Sequence, residues 1–508
     1  MSTAIIEEPK TTVSADASTA RAHIEERSVK GFIGLGTAKA LAQTSSWMLS
    51  ILIARLLEPS DYGLMALAVF FVNFCAFISE FGLSSALIQS KSLEERDVHT
   101  SFWVMLAANA GIYLFLVLIA HPVANYYDAP GLAPVLHVLG LNFLISTVRL
   151  IPMCLLTRDL KFEKCAKAEL AASLVSSVLM LVLAYTGAGV WALVAGAVAS
   201  NITSAVMMLW YQPWFPRLVF EFNRVRGMLN YGIAINISKV LAYLSGSADN
   251  LIVGKVLGGT SLGLYNMAFV IGTMPTQKLA PIIHHIAFPV MSKIQDDLDH
   301  SREYFLSASR YLALAGSLTM FGMLIAADDF VALVLGPKWA GMVLPLRLLC
   351  SIGVMKALAV TLNLVLSARD VRKKLLLYGV VEVVFLSLAF AVGARFGING
   401  VAAAWLLAYP ILFAYQLNAV LAELEIPLSA YFANLKYVAI ASVCMMVAMV
   451  AVRQGLPPGA IRLVVTCAAG VAVFGTVSLA DRTLRDQLAR ISIFSRFVRA
   501  ARPTAQMS

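Results

Sequence analysis

Fourteen mostly apolar stretches, each near twenty residues long, follow one another along this chain with short polar connections between them. As a helix, ~20 residues rise about 30 Å, the thickness of a bilayer's hydrocarbon core; strands of a membrane barrel alternate over only ~10 residues. The stretches run approximately over 32–54, 63–88, 101–120, 133–156, 168–186, 189–211, 229–253, 262–289, 306–327, 341–367, 375–394, 397–420, 432–452 and 461–480. Composition rules out the soluble alternative: of 508 residues 59% are hydrophobic and 13% charged, about half the ~25% charge of an average soluble domain. The expected fold is therefore all-α, a polytopic membrane protein.

Lysine and arginine set the orientation. With the N-terminus in the cytoplasm, 25 bases fall on cytoplasmic segments and six on the opposite side, a strong positive-inside bias. Both termini are then cytoplasmic. Residues 1–30 are polar, with no apolar core of a signal peptide. The last residues, with Arg490, Arg496, Arg499 and Arg502 among Ile and Phe, suit either an amphipathic stretch on the anionic inner leaflet or a solvated tail.

The chain also repeats itself. At a shift of 200, IARLLEPSDYGLMALA (53–68) aligns with VGKVLGGTSLGLYNMA (253–268), placing Arg55 on Lys255, Gly63 on Gly263 and, in the preceding span, Lys39 on Lys239. The shift covers an even number of spans, so the copies share one orientation, as in parallel repeats about an axis along the membrane normal. This divides the chain into an N-tail (1–30), a six-span lobe (31–212), a cytoplasmic connection (213–227), a second six-span lobe (228–422), a two-helix extension (423–480) and a basic tail (481–508). A substrate path is expected between the two pseudo-symmetric lobes.

Polar residues in the first span of each lobe form a seam. Asn236, Lys239, Tyr243, Gly246 and Asn250 keep one helical face, and Gly36, Lys39, Gln43, Ser46 and Ser50 occupy the matching positions. Small and polar faces also serve helix packing. The lysines point beyond packing, because a base at bilayer depth costs at least ~2.5–3.5 kcal/mol unless it faces water or a partner. Lys39 and Lys239 are thus the first candidates for a cationic lining, followed by Lys278, His285 and Lys356. Arg347 and Arg149 lie near span ends and either line the path or snorkel. Asp249 and Glu382 are the candidate ion-coupling carboxylates, Asp249 lying ten residues from Lys239 and so not its direct partner. With the span-edge residues Arg310, Lys436, Arg462 and Glu169 set aside, six bases against three acids within spans favour an anionic cargo, since one unit pair at 4 Å contributes ~4 kcal/mol at an effective dielectric of 20.

Enzymatic and cofactor motifs do not occur: there is no P-loop, HExxH or Cys/His metal spacing. Asp328-Asp329 resembles half of a metal-binding pair but, with no extramembrane domain to build a site around it, reads as a solvated span end. No cofactor, metal or nucleic acid is expected.

Several phrases resemble one family. LIARLLEPSDYGLMALA (52–68), FGLSSALIQ (81–89), GVWALVAG (189–196), DNLIVGKVLG (249–258) with LGLYNMA (262–268), and LGPKWAGMVLPLRLL (335–349) are similar to the polysaccharide transporter, or Wzx-type flippase, family. That family belongs to the superfamily of multidrug, oligosaccharidyl-lipid and polysaccharide exporters; the likeness is to its colanic- and teichuronic-acid branch. The resemblance implies a two-lobed protein of the bacterial inner membrane. It would carry an undecaprenyl-diphosphate-linked oligosaccharide to the outer leaflet by alternating access, coupled to H+ or Na+, beside membrane lipid, a polysaccharide polymerase and chain-length machinery. A multidrug or lipid II exporter, and a non-transporting scaffold of the synthesis complex, are the alternatives.

Overall fold

The computed structural model describes residues 48–79, 87, 94–294, 296–368 and 372–480, without the side chains of 78–79, 222–239, 275, 278–286, 368 and 372–376. Among these residues every regular element is helical: α1 (Pro59–Ser79), α2 (Glu95–Tyr126), α3 (Leu132–Arg158), α4 (Phe162–Tyr185), α5 (Val190–Tyr211), α6 (Phe222–Lys293), α7 (Leu298–Phe330), α8 (Val343–Ala368), α9 (Arg372–Ala394), α10 (Gly397–Glu423), α11 (Leu428–Gly455) and α12 (Ala460–Ser478). Twelve stretches of the described residues are long and apolar enough to cross a membrane. The chain is an all-α, multi-pass membrane protein.

One of those twelve, Val240–Met274, runs through Gly258, whose φ of 81° and ψ of 174° break α6 into two helices. The break falls between the stretches expected at 229–253 and 262–289. The first expected stretch, 32–54, is described only from residue 48, so a count of fourteen is not reached among the described residues.

The chain forms two compact units. One gathers the described parts of Met1–Leu56, Ser79–Val117 and His137–Ile233. In it α4 and α5 pack as a hairpin. The connection after α5 lies along the start of α2: Trp103 Nε1 donates to the Arg217 carbonyl at 2.8 Å, and Arg217 N donates to His99 Nδ1 at 3.1 Å. Trp214 stacks on the His99 ring, centroids 5.2 Å apart.

The other unit takes Leu57–Ile78, Leu118–Leu136 and the described part of Ala234–Ser508. Here α8 packs on α7 and α10, α9 on α10, and the hairpin of α11 and α12 on α7. Asp297 caps α7, accepting from His300 N at 3.1 Å; that amide, with the His300 ring, holds the carboxyl below its ordinary pKa.

Apolar packing alone does little to hold helices together in lipid, because acyl chains are as apolar as leucine. The hairpin of α11 and α12 is accordingly tied to its neighbours by polar groups at both ends of α7. Arg302 Nε donates to the Leu424 carbonyl at 2.7 Å, and Arg310 Nε to Asn434 Oδ1 at 3.0 Å. At the far end Asp328 pairs with Arg347 and Arg453, and Asp329 with Arg453 and Arg462. Asp329 is 5% exposed. The reading of Asp328-Asp329 as a solvated span end is therefore corrected: the two carboxylates are the anionic half of a clamp. Arg347, open between lining and snorkelling, belongs to that clamp. Breaking a buried ionic network by removing one partner costs about 3–5 kcal/mol. Asp329→Ala is expected to lower the melting temperature of the purified protein and to open the 455–459 connection to protease; an unchanged melting temperature contradicts the clamp.

At the start of α1 the repeat leaves a physical trace. A methyl group on Gly63 would lie 1.8 Å from the Gly259 carbonyl oxygen, and one on Gly263 would lie 1.7 Å from that of Pro59. Under the 200-residue shift Gly63 maps to Gly263 and Pro59 to Gly259. Each glycine therefore meets the residue four before the other. Small residues spaced by four let two helix backbones touch, and the reciprocity is the one a two-fold relation between copies requires.

Candidate functional site

A helix through a membrane has its own backbone bonds satisfied, so a polar side chain at mid-depth must find a partner from another helix. In the second unit several do so around one point. Lys356 stands thirteen residues into α8, about 20 Å from its start at 1.5 Å per residue, which is the middle of a membrane. Its Nζ lies over the rings of Trp405 (3.4 Å to the centroid), Phe269 (4.6 Å) and Tyr409 (5.7 Å). A desolvated cation over an aromatic face gains ~2 kcal/mol or more. That offsets much of the ~2.5–3.5 kcal/mol cost of placing the charge there.

Trp405 carries the arrangement further. Its Nε1 donates to Asp249 Oδ2 at 3.0 Å, so one indole offers its face to the cation and its N–H to an anion. The fully buried Asp249 also accepts from the Tyr265 hydroxyl at 2.6 Å and from the backbone N–H of Asn250 at 2.8 Å. Three donors stabilise an ionised carboxylate in a place water does not reach. Glu382, on α9, acts electrostatically on Lys356 together with Asp249. The result is one base and two acids from α6, α8 and α9, joined by aromatic groups of α6 and α10.

Below the Lys356 cage, toward the Ala368 end of α8, the same helices line an open cavity of about 210 Å³. Tyr409 borders both, since it lies beside the Lys356 ammonium and lines the cavity with Glu382, Tyr378, Asn363, Ser367 and Gln416. Gln416 Nε2 donates to Asn363 Oδ1 at 2.6 Å.

Three residues expected from the sequence thus come together here: Lys356, Asp249 and Glu382. The others are placed differently. Tyr243, expected on the seam, sends its hydroxyl to the Phe70 carbonyl at 3.1 Å and packs its ring on Phe70 and Phe77. Arg149, in the other unit, lies 3.5 Å from Ser204 Oγ, and Arg347 is in the clamp. Lys39 and Gln43, and the side chains of Asn236, Lys239, Lys278 and His285, lie outside the described residues. The positive excess counted across the spans is not found in this network, where acids outnumber the base.

Sequence reasoning missed Tyr265, Trp405, Tyr409, Asn363 and Gln416. A signal existed for two of them: an amide such as Asn363 or Gln416 inside an apolar span needs a partner, and these two are each other's.

Comparison with known proteins adds what geometry alone does not. Residues 52–344 match the family described as "Polysaccharide biosynthesis protein". The lipopolysaccharide biosynthesis protein WzxC of Escherichia coli (strain K12) is 25% identical over 62% of this chain and 65% of its own length. The succinoglycan biosynthesis transport protein ExoT of Rhizobium meliloti (strain 1021) is 25% identical over 57% of this chain and 58% of its own. The match thus spans less than two thirds of either relative. Among solved structures, the lipid II flippase MurJ in an inward closed conformation superposes with a TM-score of 0.70 at 14% identity, covering 89% of this chain and 99% of that one. This is a likeness of fold.

Proposed function

We propose that this chain, which belongs to the polysaccharide biosynthesis protein family, is a flippase rather than an enzyme. It moves undecaprenyl-diphosphate-linked oligosaccharide repeat units across the bacterial inner membrane for exopolysaccharide or lipopolysaccharide biosynthesis. The observation that carries the reading is a lysine kept at mid-depth against three aromatic rings and two carboxylates. A purely structural helix bundle gains nothing from such an arrangement that leucine would not supply at lower cost.

On this reading the work divides. The repeat-related Lys39 and Lys239, with Lys278, His285 and Arg149, meet the diphosphate, and Gln43, Asn236 and Tyr243 border its path, while the polyprenyl tail stays in lipid. Lys356, Asp249 and Glu382 form the coupling centre. Adding a proton or a sodium ion to one of the carboxylates changes the charge balance around Lys356, and the two balances favour opposite openings of the path. A ligand shifts such an equilibrium only by its differential affinity for the two states, and a fixed charge beside the ion site supplies that difference. Both termini lie in the cytoplasm, and the delivered repeat units pass to a polymerase and chain-length machinery on the far side of the membrane.

Deleting the gene is expected to stop export and to accumulate the lipid-linked oligosaccharide in the cytoplasmic leaflet. Accumulation of completed polymer in the periplasm instead would overturn the reading.

A further inference from the structure

The cavity beneath Lys356 has a chemistry of its own. Its described lining contains no base, and it carries the Glu382 carboxyl, so it offers a diphosphate no counter-charge. What it offers is a carboxyl, two side-chain amides, a serine hydroxyl and two tyrosines, interspersed with the small or aliphatic Leu241, Ala242, Ala359 and Gly379. The bond from Gln416 to Asn363 uses one donor and one acceptor. Each amide keeps its other end for a ligand, one an acceptor and the other a donor.

Donors and acceptors set among C–H and aromatic surface match an uncharged sugar ring, which has hydroxyls around its rim and apolar faces. The volume of about 210 Å³ is well above what a single water needs and is on the scale of one sugar ring. We infer that this cavity is a subsite for a single uncharged pyranose unit of the cargo, separate from the bases that meet the diphosphate. The inference rests on the flippase reading and names the part of the cargo the second unit reads.

Purified protein is tested for binding of three probes. These are the lipid-linked oligosaccharide extracted from cells lacking the gene, sugarless undecaprenyl diphosphate, and the free oligosaccharide released from the lipid. The wild type is expected to prefer the sugar-bearing lipid over the sugarless one by about tenfold or more, the worth of one or two hydrogen bonds to hydroxyls. Asn363→Leu and Gln416→Leu are expected to bring that preference close to one while keeping the affinity for the sugarless lipid, which also reports that they are folded. Ser367→Ala, which removes one hydroxyl, is expected to lower the preference in the same direction if either leucine change prevents folding. Competition by the free oligosaccharide in the wild type and not in the variants ties the effect to sugar rather than lipid. An undiminished preference in the folded variants overturns the subsite alone. A wild type that binds neither lipid overturns the flippase reading, and the subsite with it.

Discussion

Lys356→Gln is expected to reduce polysaccharide export on the order of 10²-fold in cells, with the protein inserted at wild-type level. Glutamine keeps much of the lysine's length and polarity and removes only its charge. The ammonium lies 3.4 Å over the Trp405 ring and acts on Asp249 and Glu382; without it two carboxylates face one another's field with no counter-charge. The cation–π term alone contributes ~2 kcal/mol or more where water is excluded, and ~2.7 kcal/mol is a factor of 10² in rate. Lys356→Arg, which keeps the charge and stacks on aromatic faces, is expected to retain measurable export. Equal export by Lys356→Gln and the wild type, at matched protein level, would remove the lysine from the mechanism.

Gly263→Val is expected to be the most damaging change outside that centre. A Cβ at 263 lies 1.7 Å from the Pro59 carbonyl oxygen, where real contacts essentially never fall under 3.0 Å, and the obstacle is backbone that cannot rotate away. The two helices must move apart by more than an ångström. Overpacking typically costs about 1–3 kcal/mol, and more where the neighbour cannot yield. Gly63→Val meets Gly259 in the same way, so the pair of changes should be far from additive, since both break one contact. Gly259→Ala is the control: its Cβ meets nothing within 4 Å. Melting temperature and export are expected to fall for Gly263→Val and Gly63→Val and to hold for Gly259→Ala; a Gly263→Val protein as stable as the control contradicts the close approach.

The fold was readable because membrane spans obey a length rule that needs no knowledge of neighbours. Even the break in α6 announced itself, as a polar gap with paired glycines between two apolar stretches. Charged residues at mid-span were readable for a related reason: Lys356, Asp249 and Glu382 are costly where they stand, so each flagged itself before its partners were known. Their mutual arrangement was not, because they come from three helices more than a hundred residues apart at the extremes. Trp405 escaped attention since hydropathy treats indole as apolar, although a buried indole N–H also needs an acceptor. Asp328 and Asp329 were misread for want of long-range information. Their partners Arg453 and Arg462 lie far along the chain, yet the base count had already set all of them on the same side of the membrane. A tally of opposite charges per side, rather than of bases alone, would have suggested the clamp.

The coupling centre is tested most directly in vesicles that hold the purified protein and the lipid-linked oligosaccharide, by imposing a proton or sodium gradient and following how fast an impermeant sugar oxidant gains access to the inner-leaflet pool. Wild-type protein should speed that access when one of the two gradients is applied, and Lys356→Gln should not respond to either. Gradient-driven access at the same rate in both proteins would contradict the assignment of Lys356, Asp249 and Glu382 to coupling.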